Sequence, residues 1–494
     1  MKTLQLFLRY YFVILFTVLL NPGHAQIDFT VFDFGDEFEF SQHNVQAVFP
    51  SADGGYFVFG NVGDNFYADT SKVYVLETDA AGSVIWKNVI GENSVLNYCH
   101  AIVKTPDDGF VMVGHHKEGT NFSDPINPMI AEFGSAGNLN WMMYHPWQWD
   151  DELLDVLPDY SGDGYIVIGT TQSFGAGSPN EYNIFMMKTD ANGGEITKTV
   201  IDGVYDDFGF ALSYGIDGGY LFAGAYESSD KSLRDLFFIR TDENLNVGWT
   251  KLIDGSGYDY PNSIAITNDG HYIVTGETDS IGGSADAFLL KIDDEGDVKW
   301  MKTFGGYQTD YANMVIVTQD DHYLFCGKSG SSTPKSQIYL VKTDTAGNEV
   351  WSEVISYENG SSAYSVYEYS PGHFLLGGYF KTFSNDYKSI VVEVTDLASR
   401  IEENLENSNE FMISCFPNPF SNYTKIKYVL PEKDDINLSV YDCTGNLILT
   451  LANKVQSKGK HIINLERNNL TPGIYNIVLS TNQFTKTCKV VVVN

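Results

Sequence analysis

Ser263-Ile-Ala-Ile-Thr-Asn-Asp-Gly-His-Tyr-Ile-Val-Thr-Gly276 is one copy of a phrase that the chain spells seven times: a turn, an aromatic residue, three mostly apolar residues and a glycine. The aromatics are Tyr56, Phe110, Tyr165, Tyr220, Tyr272, Tyr323 and Phe374. The glycines follow four residues later, at Gly60, Gly114, Gly169, Gly224, Gly276, Gly327 and Gly378. Successive aromatics lie 54, 55, 55, 52, 51 and 51 residues apart. A period near 50 marks a repeat architecture in which each unit buries its apolar surface on its neighbours.

Reading outward, Ser263 to Thr267 and Tyr272 to Gly276 are two short strands joined at Asn268-Asp-Gly270. A polar loop leads to Ala287-Phe-Leu-Leu-Lys-Ile292, the tight turn Asp293 to Gly296, and a fourth strand, Val298 to Phe304. Short apolar runs cut by Asp/Gly turns describe a four-stranded antiparallel sheet. No segment carries a 3.6-residue apolar period, so helices are expected to be nearly absent.

The Asp-x-x-Gly turn recurs at Asp79/Gly82, Asp190/Gly193 and Asp344/Gly347, with Gly134 for the aspartate in the second copy and Leu245 for the glycine in the fourth. A tryptophan four residues on recurs at Trp86, Trp141, Trp249, Trp300 and Trp351, replaced by Thr197 in the third copy. These turns lack the run of oxygen ligands of a calcium loop.

Such sheets bury both faces by standing radially, as in a β-propeller. The seventh copy ends after its third strand at Ser389 to Val394, while Phe29-Thr-Val-Phe-Asp-Phe-Gly35 precedes the first copy and resembles Lys302-Thr-Phe-Gly305. The expectation is an all-β chain: a seven-bladed β-propeller over 26–396, closed by an N-terminal strand that removes two sheet edges. The pattern resembles secreted bacterial propellers, and also quinoprotein and kelch repeats. Quinoprotein propellers usually have eight blades and adjacent cysteines. No two cysteines adjoin here, so no quinone or other cofactor is expected.

Residues 1–25 read as a secretory signal: Lys2 and Arg9, an apolar stretch from Tyr10 to Leu20, Pro22, then Gly23 and Ala25, with cleavage expected after Ala25. Eleven apolar residues are too few for a spanning helix, which needs about 20, so no transmembrane segment is expected. Residues 26–409 carry 19 Lys and Arg against 58 Asp and Glu, whereas 410–494 carry nine against six. So acidic a surface disfavours nucleic acid and anionic lipid, and is compatible with a bound divalent cation. A monomer is expected. Of five cysteines, Cys99 and Cys326 read as buried apolar residues, and Cys443 and Cys488 could pair.

After a polar linker at 397–410, residues 411–494 read as six or seven short strands without a helix, a small Ig-like β-sandwich. Pro417-Asn418-Pro419, Tyr441 with Gly445, Gly473 with Tyr475, and Lys489 in the last strand resemble the C-terminal sorting domain of type IX secretion substrates in Bacteroidetes. The resemblance implies a type IX translocon as partner and a secreted or outer-membrane surface-attached product.

No Gly-x-Ser-x-Gly elbow, His-Glu-x-x-His pair or phosphate loop is present. His115-His116 follow Gly114, but adjacent strand residues face opposite ways and no third ligand stands near them, so no metal site is expected. Aromatics interleaved with carboxylates gather in the blade-to-blade crossings: Trp147, Trp149 and Asp150; Asp207; Tyr258, Asp259 and Tyr260; Asp310 and Tyr311. Such residues suit a glycan or a cationic ligand, or they fasten blades. The leading expectation is a binding protein. The alternatives are an extracellular polysaccharide hydrolase or lyase using the acidic-aromatic face, and a structural surface-layer component.

Overall fold

Asp/Gly turns punctuate apolar runs of five to ten residues, and every such run among the described residues forms a strand. The computed structural model describes residues 27–34, 37, 38, 40–63, 71–91, 95–119, 123–160, 162–175, 181–203, 205–216, 218–227, 233–253, 255, 257–279, 284–331, 335–396, 412–416, 423–442, 446–467, 470, 471, 473–481 and 484–492. No helix occurs among them. The chain divides into two compact units, Met1–Thr395 and Asp396–Asn494. The expected signal with Ala25, and the linker, lie outside the described residues.

Among the described residues the first unit holds seven four-stranded sheets. Six take their strands consecutively, and their first strands are Gln42–Pro50, Val95–Lys104, Asp151–Pro158, Phe208–Tyr214, Asp259–Ile266 and Asp310–Val317. In the seventh, Ser361–Ser370, His373–Lys381 and Tyr387–Asp396 are joined by Ile27–Asp33, which lies beside Tyr387–Asp396. The Phe34 N–H donates to the Ser389 carbonyl at 3.2 Å.

Each first strand carries a β-bulge against its second strand, leaving Gln46, His100, Leu154, Phe210, Asn262, Asn313 and Tyr364 unpaired. The bulge gives the repeated glycine its physical cause. It pushes the carbonyl two residues earlier over the second strand. A methyl on Gly276 would lie 1.8 Å from the Tyr260 carbonyl oxygen, and the same clash recurs at Gly60, Gly114, Gly169, Gly224, Gly327 and Gly378 at 1.8 to 2.4 Å. The bulge also corrects the sequence reading. Asp259-Tyr260 and Asp310-Tyr311, expected in crossings, begin first strands. The unpaired residue shifts the two-residue apolar alternation, so the two halves of the strand do not read as one.

Neighbouring sheets share apolar cores. Val45 and Val48 of the first sheet pack with Leu375 and Val391 of the seventh, beside Phe32 and Phe34. At the third-to-fourth strand turns, glycines with φ of 72° to 79° abut the preceding sheet's tryptophan. Gly137 meets Trp86, Gly193 meets Trp141, Gly296 meets Trp249 and Gly347 meets Trp300. Gly82 meets Phe32, so Phe32 takes the tryptophan's place on the N-terminal strand. The two exceptions fall on adjoining sheets. Where Thr197 replaces the tryptophan, Leu245 replaces the glycine and is buried in the core of sheets three and four, despite a φ of 63°.

In the second unit, Met412–Phe416, Tyr423–Leu430 and Gly459–Glu466 form one sheet, and Leu447–Gln456, Asp434–Asp442, Gly473–Ser480 and Thr485–Val492 form another. Ile426, Tyr428 and Leu465 of one meet Leu438, Val440, Ile477 and Leu479 of the other in a single core. Met412–Phe416 is a strand that the apolar runs had not marked. Tyr475 is buried, and its hydroxyl donates to the Thr471 carbonyl at 2.9 Å. Tyr441 and Lys489 lie in strands, and Gly473 opens one; Pro417, Asn418, Pro419, Gly445 and Cys443 lie outside the described residues. Cys99 and Cys326 are buried free thiols, their pKa pushed up by burial.

Candidate functional site

The start of each first strand and the end of each second strand lie at one end of their sheet, as the pairings Asp151↔Thr171, Asp259↔Thr278, Asp310↔Ser329 and Ser361↔Phe380 record. The candidate residues named above gather at this end, in two groups.

One group fastens backbone. The N–H groups of Asp151, Asp207 and Asp310 donate at 2.8 Å to the carbonyls of Ile126, Tyr182 and Ala285 in the second-to-third strand connections. Asp207 is fully buried; its Oδ1 accepts from the Glu227 N–H at 3.0 Å, and its Oδ2 has no partner among the described residues. Burial pushes its pKa up to about 7. Asp310, also fully buried, accepts from the Ser331 hydroxyl at 2.6 Å and the Gly306 N–H at 3.1 Å. Asp259 is buried. Asp150 Oδ1 accepts from the Ile126 N–H at 2.9 Å. Trp147 packs edge-on against Phe174 and Phe185 at 4.8 and 5.3 Å between ring centres, with the Lys198 ammonium over its face at 4.8 Å. Although outside the repeat pattern, it extends the core of sheets two and three.

The other group faces solvent. Trp149, Tyr258, Tyr307 and Phe383 are exposed at this end of sheets three, five, six and seven, with Tyr144 at the same end of sheet two; among the described residues Tyr160 is the exposed aromatic at the other end. Tyr258 lies parallel to Tyr260 at 6.5 Å, and Tyr260 accepts from the Arg234 guanidinium at 2.7 Å. Tyr311 lies under the Lys328 ammonium at 4.6 Å. Burial raises the Glu277 pKa to about 7 and lowers that of Lys328.

A third constellation was not legible in the sequence. His100 Nε2 lies 3.0 Å from His115 Nδ1 and 3.2 Å from Glu152 Oε2, and His115 Nδ1 lies 3.3 Å from the same oxygen. His100 is the bulged residue of its strand, His115 follows Gly114 in the next, and Glu152 comes from the neighbouring sheet. Tyr98 stacks on His115, with ring centres 5.4 Å apart and planes 10° from parallel. Burial lowers the His115 pKa. Burial works to raise that of Glu152, but the hydrogen bonds from His100 and His115 outweigh it and hold the carboxyl well below its usual range. His116 points the other way, onto Tyr144 at 3.7 Å, as strand alternation requires.

Residues 414–493 match the family described as the secretion system C-terminal sorting domain. The chain thus carries at its C-terminus the signal that sends type IX substrates to the cell surface or extracellular space. No curated protein matches the chain. Among solved structures it is similar to PorZ, described as an essential bacterial surface component of the type IX secretion system of Porphyromonas gingivalis, at 10% identity and a TM-score of 0.31, over 90% of this chain and 69% of that one. It is also similar to the β-propeller domain of the trilobed protease from Pyrococcus furiosus, at 8% identity and a TM-score of 0.42, over 72% and 95% of the two chains. The Pyrococcus horikoshii acylaminoacyl peptidase matches at 9% identity and a TM-score of 0.43, over 80% and 59%.

Proposed function

We propose that this chain is a secreted or surface-attached binding protein, a closed seven-bladed propeller delivered by its C-terminal domain. Closure is supported by the place of Ile27–Asp33 in the seventh sheet and by the core shared between the first and seventh sheets. Deleting residues 26–36 should lower the melting temperature of the unit, and an unchanged melt would count against closure. The binding reading is carried by one observation: exposed aromatics from several sheets lie at a single end, among them Trp149, Tyr258, Tyr307 and Phe383. Ring faces stack on sugars, and nearby carboxylates accept sugar hydroxyls or meet cations.

The test is a glycan array with the wild type and with Trp149→Ala/Tyr258→Ala/Tyr307→Ala, followed by incubation with any hit. Retention by the wild type alone, without cleavage, supports the reading. Shortened glycan would assign a hydrolase or lyase, and equal retention by both would remove the aromatic end from recognition.

A further inference from the structure

We propose that His100, His115 and Glu152 form a binding site for one divalent transition-metal ion of the zinc class, bridging the second and third sheets. The three donor atoms stand at the corners of a triangle with edges of 3.0, 3.2 and 3.3 Å. A tetrahedral zinc site with bonds of ~2.0–2.1 Å has edges between ligands of ~3.3 Å, so this triangle matches one face of such a site. Two imidazoles and a carboxylate also suit that ion class by donor chemistry.

Protons on the two imidazoles cannot by themselves satisfy the arrangement around an ionised carboxylate. If both nitrogens donate to Glu152 Oε2, two N–H groups confront each other at 3.0 Å. If either nitrogen is bare, its lone pair confronts the carboxylate at 3.2 or 3.3 Å. While the carboxylate is ionised, each protonation pattern of the two imidazoles leaves one edge repulsive, whereas a cation among the three turns every lone pair inward.

The corners are held firmly. A bulge aims His100 toward the next sheet. Tyr98 stacks on His115, and the Glu152 carbonyl is seated against Gly169. The side chains of His100, His115 and Glu152 remain 24, 13 and 31% exposed, so an ion can reach them and water can supply the fourth ligand. The site does not rest on the ligand-binding reading above.

The test uses the full chain, stripped with a chelator and titrated with Zn2+ against a chromogenic competitor and with Co2+ by visible absorption. One equivalent should bind, with the intense d–d bands of four-coordinate Co2+. His100→Gln and Glu152→Gln should each weaken Zn2+ binding by more than about tenfold, while His271→Gln, in a turn of the fifth sheet, leaves it unchanged. The Co2+ spectrum is read on the wild type and needs no variant to fold. Absence of a stoichiometric ion, six-coordinate Co2+ bands, or equal binding by all variants would overturn the proposal.

Discussion

Replacing Gly276 by alanine tests the link between the bulge and the repeated glycine. The new methyl would sit 1.8 Å from the Tyr260 carbonyl oxygen and 2.9 Å from the Phe288 ring. To reach 3.0 Å from the oxygen, the first strand must retreat by roughly 1.2 Å, which strains a well-packed site by about 1–3 kcal/mol. The obstruction is backbone, so the upper end applies. Loss of glycine's freedom in the unfolded chain returns about 0.4–1 kcal/mol, leaving a net destabilisation of ~2 kcal/mol. Gly248 is the control: it lies on an exposed fourth strand, and its methyl would meet nothing nearer than the Arg240 carbonyl oxygen at 3.5 Å. Gly248→Ala should be neutral or stabilising by up to about 1 kcal/mol. The assay is urea unfolding followed by tryptophan fluorescence, since all seven tryptophans lie between residues 86 and 351 and report on the first unit alone. If the two variants unfold at the same urea concentration, the carbonyl contact is not what selects glycine at this position.

Asp207→Asn should change how stability depends on pH. The folded pKa of about 7 lies above the ordinary 3.8, so folding binds a proton between these values. The contribution of this carboxyl to stability therefore falls as pH rises from about 4 to 7. Asp155 and Glu277, raised to about 7 chiefly by burial, act in the same direction. The urea midpoint of Asp207→Asn should gain on the wild type over this range, and a constant difference would show that the carboxyl is ionised throughout. Leu245→Gly should cost about 2 kcal/mol, cavity loss outweighing relief of the left-handed backbone, and Thr197→Trp alone should overpack the same boundary. The double variant should recover more than about 1 kcal/mol of their sum; strict additivity would mean that the two positions do not share a space. Removing residues 397–494 should leave the protein inside the producing cell, scored by immunoblot of medium and surface fractions, and undiminished export would remove the sorting role.

Strands, turns and repeated glycines were legible because each depends on local chemistry: apolar alternation, Asp-Gly turns, and a residue without a Cβ where backbones approach. The sorting domain was legible too, since its pattern of short strands and turn residues lies in one contiguous stretch. The roles of the acidic and aromatic residues were not. Asp207 and Trp149 belong to similar segments, yet one is buried beneath a backbone N–H and the other is exposed. The bulge and the neighbouring sheet decide which. The meeting of His100, His115 and Glu152 joins residues 15 to 52 positions apart. Periodicity along the chain says which face of a sheet a residue occupies. Only sheet against sheet determines what it meets there.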